Sequence, residues 1–261
     1  SQNEQDSRMY AKFAKIPCLD PSTLQEAHDM VRDAFALSEA LGLPVLFRPT
    51  TRICHSKSNV TVGPVLPYSG KGEFHKDPRQ YVVIPAHTRI LHRKLNEKQP
   101  AVRKRISESG YNQYHFRGKR AIIASGIAAA YVQEIIPPDV SFMKIGAYPI
   151  DEEWLAGFVR KHQEVLVVEE LFPVVEEVVR EVAGTVTILG KKSGHAPYEG
   201  ELSPESVARI MESCGFSPAV HYSSVQPAPD LPPRPPILCA GCMHRPVFYA
   251  IKKVFRDGIY P

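Results

Sequence analysis

The sequence predicts an α/β fold with a mainly parallel sheet. Short apolar runs recur between residues 120 and 189, segments with helical spacing separate them, and Gly, Pro or a capping residue stands at most of the breaks. Strands that alternate with helices in this way form parallel sheets with right-handed crossovers. The pattern therefore predicts one compact α/β domain, and that domain occupies residues 119–216.

Each element of this domain has its own signal. Ser125-Gly126 forms a turn, Pro137-Pro138 ends a helix, and Gly184 ends another helix that Pro173 begins. The helix at 151–162 is predicted to bury Trp154, Leu155, Phe158 and Val159. The predicted order is strand 120–124, helix 127–136, strand 140–145, helix 151–162, strand 165–168, helix 173–183, strand 186–189 and helix 204–214.

The first 66 residues contain a second α/β signal. Ser22, with Gln25 three residues later, is a capping-box pattern that starts a helix, and Gly42 ends that helix. A short buried strand at 43–47 follows, and the polar segment 48–56 comes directly after it. Open α/β sheets place ligand-binding groups at the carboxyl ends of their strands, so this segment is a candidate for ligand binding. The predicted apolar face of the helix consists of Leu24, Ala27, Val31, Ala34, Phe35, Ser38 and Leu41.

A connecting loop at 60–81 leads to a basic helical stretch at 85–109, which we expect to bend or break at Pro100. From Pro85 to Arg120 there are ten Lys or Arg residues against two Glu. Such a strip can contact nucleic acid. The basic residues are interleaved with apolar ones at helical spacing, which favours a solvated helix face, or one that docks on the acidic segment 151–183, over nucleic-acid binding.

The composition is that of an ordinary soluble protein, with 43% hydrophobic and 23% charged residues. No run approaches the roughly 20 apolar residues of a membrane span, and no signal peptide is visible. The five cysteines are mostly far apart and do not form a disulfide pattern. These features predict a cytoplasmic location with neither a membrane nor a nucleic acid as partner.

Near the end of the sequence, a Cys-Ala-Gly-Cys-Met-His-Arg element follows a proline-rich tether and opens a helix-like run at 247–254. Cys239 and Cys242 have the spacing used by zinc, iron–sulfur and redox sites, but a complete site needs about two more ligands, so a tight turn with packed thiols is an equal alternative. Gly241, His244 and Arg245 at a helix start suit a phosphate or carboxylate, and a surface cap is the alternative.

Two further charged stretches follow strands. Residues 191–195 form a Lys-Lys-Ser-Gly-His loop that lacks the P-loop spacing, so a solvated or domain-contact loop is favoured. Glu169 and Glu170 are candidate acid–base carboxylates. Adjacent strand residues point to opposite faces, so they do not form a dyad, and an edge charge or an interdomain ion pair is the favoured alternative.

Three stretches resemble the thiamine diphosphate-dependent 2-oxoacid:ferredoxin oxidoreductases, most closely the large (alpha) subunits of the indolepyruvate-oxidising members. The opening SQNEQDSRMYAKFAKIPCLDPSTLQEAHDM…LFRPTTRICHSKS resembles the end of their pyrimidine-binding domain. Residues 119–214, with IIASGIAAAYV, VVEEL and GKKSGHAPYEGELSPESV, resemble their transketolase C-terminal-like domain. PPRPPILCAGCMHRPVFYAIKK resembles the start of their diphosphate-binding domain, but Ala240 and Met243 stand where the family has proline.

The resemblance implies a domain order and a set of cofactors. The end of the pyrimidine-binding domain would occupy 1–66, a connecting loop with basic helices 67–118, the transketolase C-terminal-like domain 119–216, a proline-rich linker 217–236, and the start of the diphosphate-binding domain 237–261. The parent protein would use thiamine diphosphate, Mg²⁺ and [4Fe–4S] clusters. Its magnesium motif and cysteine-rich segments would lie outside this sequence, so this piece by itself is expected to hold no complete metal site and to be inactive.

The resemblance also implies an activity, partners and site residues. The parent enzyme would oxidatively decarboxylate indolepyruvate and other arylpyruvates to aryl-acetyl-CoA and reduce ferredoxin, with coenzyme A as co-substrate and a smaller beta subunit as partner. The alternative is a structural module for interdomain contacts, with no complete active site. The implied cofactor-binding residues are Cys239, Gly241, Cys242, His244 and Arg245. The implied substrate-cleft residues are Gln2, Asn3, Arg8, Arg48, Arg52 and His55.

Overall fold

The structure is a computed structural model that describes residues 5–64, 74–222 and 241–257. Its contacts divide the chain into two units, Ser1–Tyr222 and Ser223–Pro261. This division falls inside the predicted linker 217–236, whereas the other predicted domain boundaries stay predictions. Within the described residues, no helix combines the length and apolar character needed to cross a bilayer.

The described part of the first unit contains nine helices and eight strands. The helices are α1 Ser7–Ala14, α2 Leu24–Leu41, α3 Thr51–His55, α4 Pro78–Tyr81, α5 Pro85–Ser107, α6 Ile127–Ile135, α7 Glu152–Val159, α8 Val174–Val182 and α9 Pro204–Ser213. The strands are β1 Cys18–Leu19, β2 Leu46–Phe47, β3 Gln113–His115, β4 Arg120–Ser125, β5 Ser141–Ile145, β6 Ala147–Tyr148, β7 Glu164–Val168 and β8 Thr187–Leu189. In the second unit, helix α10 covers His244–Val254.

Five strands form the main sheet in the order β3-β5-β4-β7-β8. The neighbours β5–β4, β4–β7 and β7–β8 are parallel, which confirms the predicted α/β fold with its four parallel strands. The edge strand β3 pairs antiparallel with β5 and was not predicted. It has three exposed residues, so it lacks the apolar run that marks the buried strands.

Helices cover both faces of this sheet, as a sheet that is apolar on both faces requires. On one face, Ile123 of β4 and Val167 of β7 pack against α7 and α8. On the other face, Ile122 and Leu166 pack against α6 and α9. The predicted buried face of α7 is confirmed for Leu155, Phe158 and Val159, whereas Trp154 is partly buried.

A second sheet of three strands has the order β2-β1-β6, with β1 parallel to β2 and antiparallel to β6. The chain crosses from the main sheet to this one at Gly146, between β5 and β6. The Asn112 side chain fixes the backbone where the chain passes between the two sheets, because its Oδ1 accepts hydrogen bonds from the amides of Gly146 and Ala147 at 2.8 and 2.9 Å. The N-terminal α/β unit is thereby fixed beside the carboxyl ends of the main strands.

The start of α2 differs from the prediction. Its N-cap is Thr23, whose side chain accepts from the Glu26 amide, and Glu26 accepts in turn from the amide and hydroxyl of Ser22. The capping pattern therefore begins one residue later than the predicted pair of Ser22 and Gln25. The end at Gly42, with φ 55°, is as predicted.

The predicted apolar face of α2 is partly wrong. Met30 is fully buried, and Ala34 and Leu37 pack beside it on Leu19 and Ile106, whereas Val31 is 41% and Phe35 is 74% exposed. Two apolar stripes of α2 fit the helical spacing. Packing against α5 buries the stripe that contains Met30 and Leu37, which the prediction did not choose. The following strand, β2, is half-buried and shorter than the predicted 43–47.

Helix α5 runs without a break through Pro100, so the predicted break is wrong. Its basic side chains Arg89, Arg93 and Lys94 are exposed, as expected of a solvated face. Lys98 contacts α2 instead, because its ammonium donates to the last carbonyls of that helix, Leu41 at 2.8 Å and Gly42 at 3.1 Å. The predicted loop at 60–81 contains the short helix α4 at its end.

Candidate functional site

A buried arginine lies at the carboxyl ends of β4 and β7. The Arg8 side chain is 1% exposed, and its Nη1 lies 2.8 Å from the Glu169 carboxylate. The same nitrogen donates to Ser125 Oγ at 3.1 Å and to Tyr148 Oη at 3.2 Å. Asp6 completes the network, with Oδ2 2.6 Å from Nη2. Burial alone would raise the pKa of Asp6, but the Arg8 guanidinium outweighs it and the pKa is lowered.

Arg8 also holds the loop that follows β7. Its Nη2 donates to the carbonyls of Glu170 and Phe172 at 2.9 and 3.1 Å. The residue between them, Leu171, has φ 59°, in the left-handed region that side chains with a Cβ rarely adopt. The two hydrogen bonds therefore fix a strained turn beside the sheet edge.

A second buried ion pair lies next to this network. Arg48 Nη1 contacts Asp20 Oδ1 at 3.0 Å, and the two side chains are 10% and 0% exposed. Asp20 Oδ2 is buried without a hydrogen-bond partner among the described residues. Gly126, at the end of β4, leaves room for this carboxylate, because a Cβ there would lie 2.9 Å from Oδ1. The Asp20–Arg48 pair of the N-terminal segment thus packs against the carboxyl end of β4.

These elements surround a polar cleft of about 310 Å³. The loops that form it follow β2 and β7 and precede α9, so the cleft lies where α/β sheets commonly bind ligands. Thr50 Oγ1 is buried in its wall with no hydrogen-bond partner in the part of the chain that the structure describes. The lining residues are Gln5, Ser7, Arg48, Pro49, Thr50, Thr51, Glu170, Leu171, Gly200 and Glu201.

Glu169 and Glu170 have opposite surroundings, as predicted. Glu169 is buried in the ion pair with Arg8 and accepts from the amides of Val175 and Glu176 at the start of α8. Glu170 lines the cleft and accepts from the Leu202 amide at 3.0 Å. Burial raises the pKa of Glu170.

The predicted cleft residues have different positions. Arg48 lines the cleft, whereas the Arg8 guanidinium is buried behind it. Arg52 is about half exposed and pairs with Glu201 of the cleft wall at 3.2 Å. His55 is exposed at the end of α3. Gln2 and Asn3 lie outside the described residues.

The backbone of the Lys-Lys-Ser-Gly-His loop binds a buried carboxylate, while Lys192, Ser193 and Gly194 are exposed to solvent. Glu176 is fully buried, and its Oε2 accepts from the Lys191 amide at 2.7 Å, while Oε1 accepts from the Lys192 amide at 3.1 Å. Gly190 makes this approach possible, since a Cβ there would lie 2.7 Å from the carboxylate. Lys191 itself is buried, so the expectation of a solvated loop is wrong for this residue.

The Cys-x-x-Cys element belongs to the second unit. Gly241 has φ 76°, as a tight turn requires, and Cys242 Sγ lies 3.3 Å from His244 Nδ1. Cys239 lies outside the described residues. The N-cap Met243 makes no side-chain cap bond, and His244 and Arg245 are exposed at the start of α10.

Asp6, Asp20 and Thr50 are among the residues of the site that were missed from the sequence. Asp6 stands two residues before Arg8, and Asp20 lies in a segment without periodicity. Thr50 has no motif around it. The one available signal was the concentration of polar residues after strand β2, which pointed to the segment and not to individual side chains.

No protein-family model matches the sequence. Curated relatives named indolepyruvate oxidoreductase subunit IorA do match: that of Methanothermobacter thermautotrophicus is 38% identical over 268 residues, and that of Thermococcus kodakarensis is 37% identical over 283. The IorA subunit of Archaeoglobus fulgidus is 36% identical over 267 residues. These alignments cover 97%, 100% and 97% of this chain. Along these aligned residues the chain is similar to the IorA subunits.

The chain spans 42%, 44% and 42% of the length of these three IorA relatives. A solved 2-oxoglutarate:ferredoxin oxidoreductase from Magnetococcus marinus, with 2-oxoglutarate, coenzyme A and succinyl-CoA bound, has a TM-score of 0.49 and 15% identity. That match covers 75% of this chain and 42% of the solved chain. At this TM-score the likeness supports no functional argument.

Proposed function

We propose that this chain is part of the IorA subunit of an indolepyruvate oxidoreductase, which oxidatively decarboxylates arylpyruvates to aryl-acetyl-CoA and reduces ferredoxin. The observation that carries the proposal is the 36–38% identity to IorA subunits along nearly the whole chain. Because these relatives are named as subunits, we propose a smaller partner subunit as well. The alternative of a purely structural module has no comparable support.

We propose that the polar cleft binds the 2-oxo acid. Arg48 is a permanent cation on its wall and matches a substrate carboxylate. The Thr50 hydroxyl, which is buried without a protein partner among the described residues, offers a hydrogen bond to the same ligand. Arg52 pairs with Glu201 of the cleft wall, and His55 is exposed at the end of α3. Neither residue lines the cleft, and their assignment to the substrate stays a prediction.

The proposed cofactor, thiamine diphosphate, would supply the electron sink that decarboxylation of a 2-oxo acid needs. The start of α10 fits its anionic end, because amide groups without a side-chain cap stand beside His244 and Arg245. Among the described residues, no group of three or more His, Cys, Asp or Glu side chains could hold a metal ion. These residues therefore do not fit Mg²⁺ or a [4Fe–4S] cluster, which we place in the rest of the parent protein.

The test is an assay of the full-length protein with its partner subunit, using indolepyruvate, coenzyme A and a viologen acceptor. We expect viologen reduction that depends on indolepyruvate and coenzyme A. We expect no turnover from residues 1–261 alone. A full-length complex that does not oxidise any arylpyruvate would disprove the proposed activity, and turnover by the isolated chain would show that the active site has been misplaced.

A further inference from the structure

The loop after β7 brings a carboxyl group to the cleft. Glu170 and Leu171 both line it, and one Glu170 oxygen is occupied by the Leu202 amide at 3.0 Å. Arg48, Asp20 and Glu201 are the charged groups that act on this carboxyl. The position of Glu170 thus depends on the backbone of a short loop at the end of the strand.

That backbone is held by contacts from outside the loop. Arg8 Nη2 donates to the carbonyls on either side of Leu171, at 2.9 Å for Glu170 and 3.1 Å for Phe172. Asp6 adds a third contact, since its Oδ2 accepts from the Phe172 amide at 3.2 Å. All three contacts come from the N-terminal segment, more than 160 residues away in sequence.

The loop needs such a restraint. Leu171 has φ 59°, which a residue with a Cβ adopts only where the surroundings impose it. Asp6 and Glu169 fix the Arg8 guanidinium in turn, at 2.6 and 2.8 Å, and its side chain is 1% exposed. The restraint is therefore rigid, and neither Arg8 nor Asp6 is among the residues that line the cleft.

We propose that Arg8 is a positioning residue, which holds the loop of residues 170–172 so that the Glu170 carboxyl faces the cleft and hydrogen bonds to the bound 2-oxo acid. This inference rests on the proposed function of the cleft. One Glu170 oxygen accepts from the Leu202 amide, so in the protonated form the other oxygen is the one that donates to a keto or carboxylate oxygen of the ligand. Burial raises the pKa of Glu170. Arg8 itself touches no substrate.

The experiment measures kcat and KM for indolepyruvate in the full-length enzyme with its partner subunit. The variants are Glu170→Ala, which removes the carboxyl and any hydrogen bond from it, Arg8→Lys and the double variant. We expect Glu170→Ala to raise KM roughly tenfold, the effect of losing one hydrogen bond to a charged ligand. We expect Arg8→Lys to raise KM similarly, because lysine cannot bridge both carbonyls, and the double variant to be no worse than the worse single one.

Arg120→Gln is the matched control. Arg120 also combines an ion pair, to Glu164, with two carbonyl contacts, to Cys214 and Gly215, but it lies at the opposite end of β4. We expect its loss to leave KM unchanged. A rise in KM for Arg120→Gln equal to that for Arg8→Lys would show a general structural effect and overturn the proposal.

A rescue provides a second readout. Glycine adopts positive φ readily, so adding Leu171→Gly to Arg8→Lys should recover part of the lost affinity. If Arg8→Lys does not fold, Asp6→Asn weakens the same restraint and should raise KM to a smaller extent. An unchanged KM in Asp6→Asn, or an absent rescue, contradicts the proposal.

The outcomes separate this proposal from the proposed function. If Glu170→Ala raises KM but Arg8→Lys does not, or if their effects multiply, Arg8 does not position Glu170, and the substrate cleft remains. If Glu170→Ala leaves KM unchanged in an active enzyme, the Glu170 contact is wrong, whereas the assignment of Arg48 and Thr50 to the cleft is not affected. If the wild-type complex does not oxidise arylpyruvates, the proposed activity itself is wrong.

Discussion

Arg8 and Glu169 form an ion pair in which Nη1 and Oε2 lie 2.8 Å apart and both side chains are 1% exposed. The pair connects α1 to the end of β7, across 161 residues of sequence. Two charges removed from water must compensate one another and satisfy their remaining hydrogen bonds. Here Asp6, Tyr148 and backbone groups of the β7 loop and of α8 do so, which makes the pair a fixed joint between the N-terminal unit and the main sheet.

Removal of one partner should therefore be costly. Glu169→Gln is expected to lower the free energy of unfolding by about 3–5 kcal/mol, because it leaves the Arg8 charge buried and under-compensated. Urea denaturation followed by circular dichroism measures this. Glu177→Gln is the control, since the Glu177–Lys192 pair at 3.0 Å is about 40% exposed and should contribute at most about 1 kcal/mol. Equal losses of unfolding free energy in Glu169→Gln and Glu177→Gln would contradict a special contribution of the buried Arg8–Glu169 ion pair.

Gly126 should tolerate no side chain. It has φ 55° and ψ −143°, and a Cβ would lie 2.9 Å from the Asp20 carboxylate. Gly184→Ala is the matched control, because Gly184 also has a positive φ, 62°, but nothing lies within 4 Å of its Cβ position. We expect Gly184→Ala to cost about 1–2 kcal/mol of stability and Gly126→Ala clearly more. A cost at Gly126 no larger than at Gly184 would show that the contact with Asp20 is unimportant.

Stability should fall in mild acid because of His162. This imidazole is 5% exposed, its Nδ1 lies 2.9 Å from the Phe158 carbonyl, and Nε2 has no partner among the described residues. Burial lowers the pKa of His162 from its ordinary value of 6.5. Below pH 6.5 the unfolded chain binds a proton that the folded one does not, so the folded state loses up to about 1.4 kcal/mol per pH unit until the lowered pKa is reached.

The measurement is the free energy of unfolding against pH from 7.5 downward. His162→Phe keeps the stacking on Phe116 and Phe158 but cannot titrate, so its slope below pH 6.5 should be smaller than that of the wild type. The exposed His55, replaced by Gln, should keep the wild-type slope. Identical slopes in the wild type and His162→Phe would exclude His162 as the cause.

The thiols should differ in reactivity. Cys18 is fully buried, and burial raises the pKa of its thiol to about 12, so almost no thiolate exists at neutral pH. Cys54 is exposed. With iodoacetamide and residue-resolved mass spectrometry, we expect rapid labelling of Cys54 and labelling of Cys18 only at the rate of unfolding. Fast labelling of Cys18 in native protein would show that strand β1 opens.

Prediction from sequence succeeded where the local pattern and the packing agree. The strands β4, β5 and β7 are apolar on both faces and lie between clear stop signals, so they were placed to within a residue. It failed at α2, where two stripes fit the spacing and the contacts with α5 select the stripe of Met30. It also failed in the break at Pro100, since the helix continues to Ser107, while a bend at this residue stays a prediction.

The candidate site was only partly predictable. Arg48 could be assigned to a cleft because it follows a strand, but the roles of Arg8 and Glu170 could not be separated by any pattern. Both are charged residues in polar stretches. The fold buries one behind the loop and leaves the other on the cleft wall.

Residue patterns over short windows were enough to predict the α/β class, the order of the parallel strands along the chain and the family resemblance, because these depend on periodicity, turn residues and residue identity. The contacts of residues 6–8 with the loop after β7, of Glu176 with the 190–192 turn, and of Arg48 with Asp20 became apparent only from the folded chain. Each of these joins segments that are distant in sequence. A buried charge forms an ion pair with an opposite charge that the packing brings close to it, and a short stretch of sequence does not contain that information.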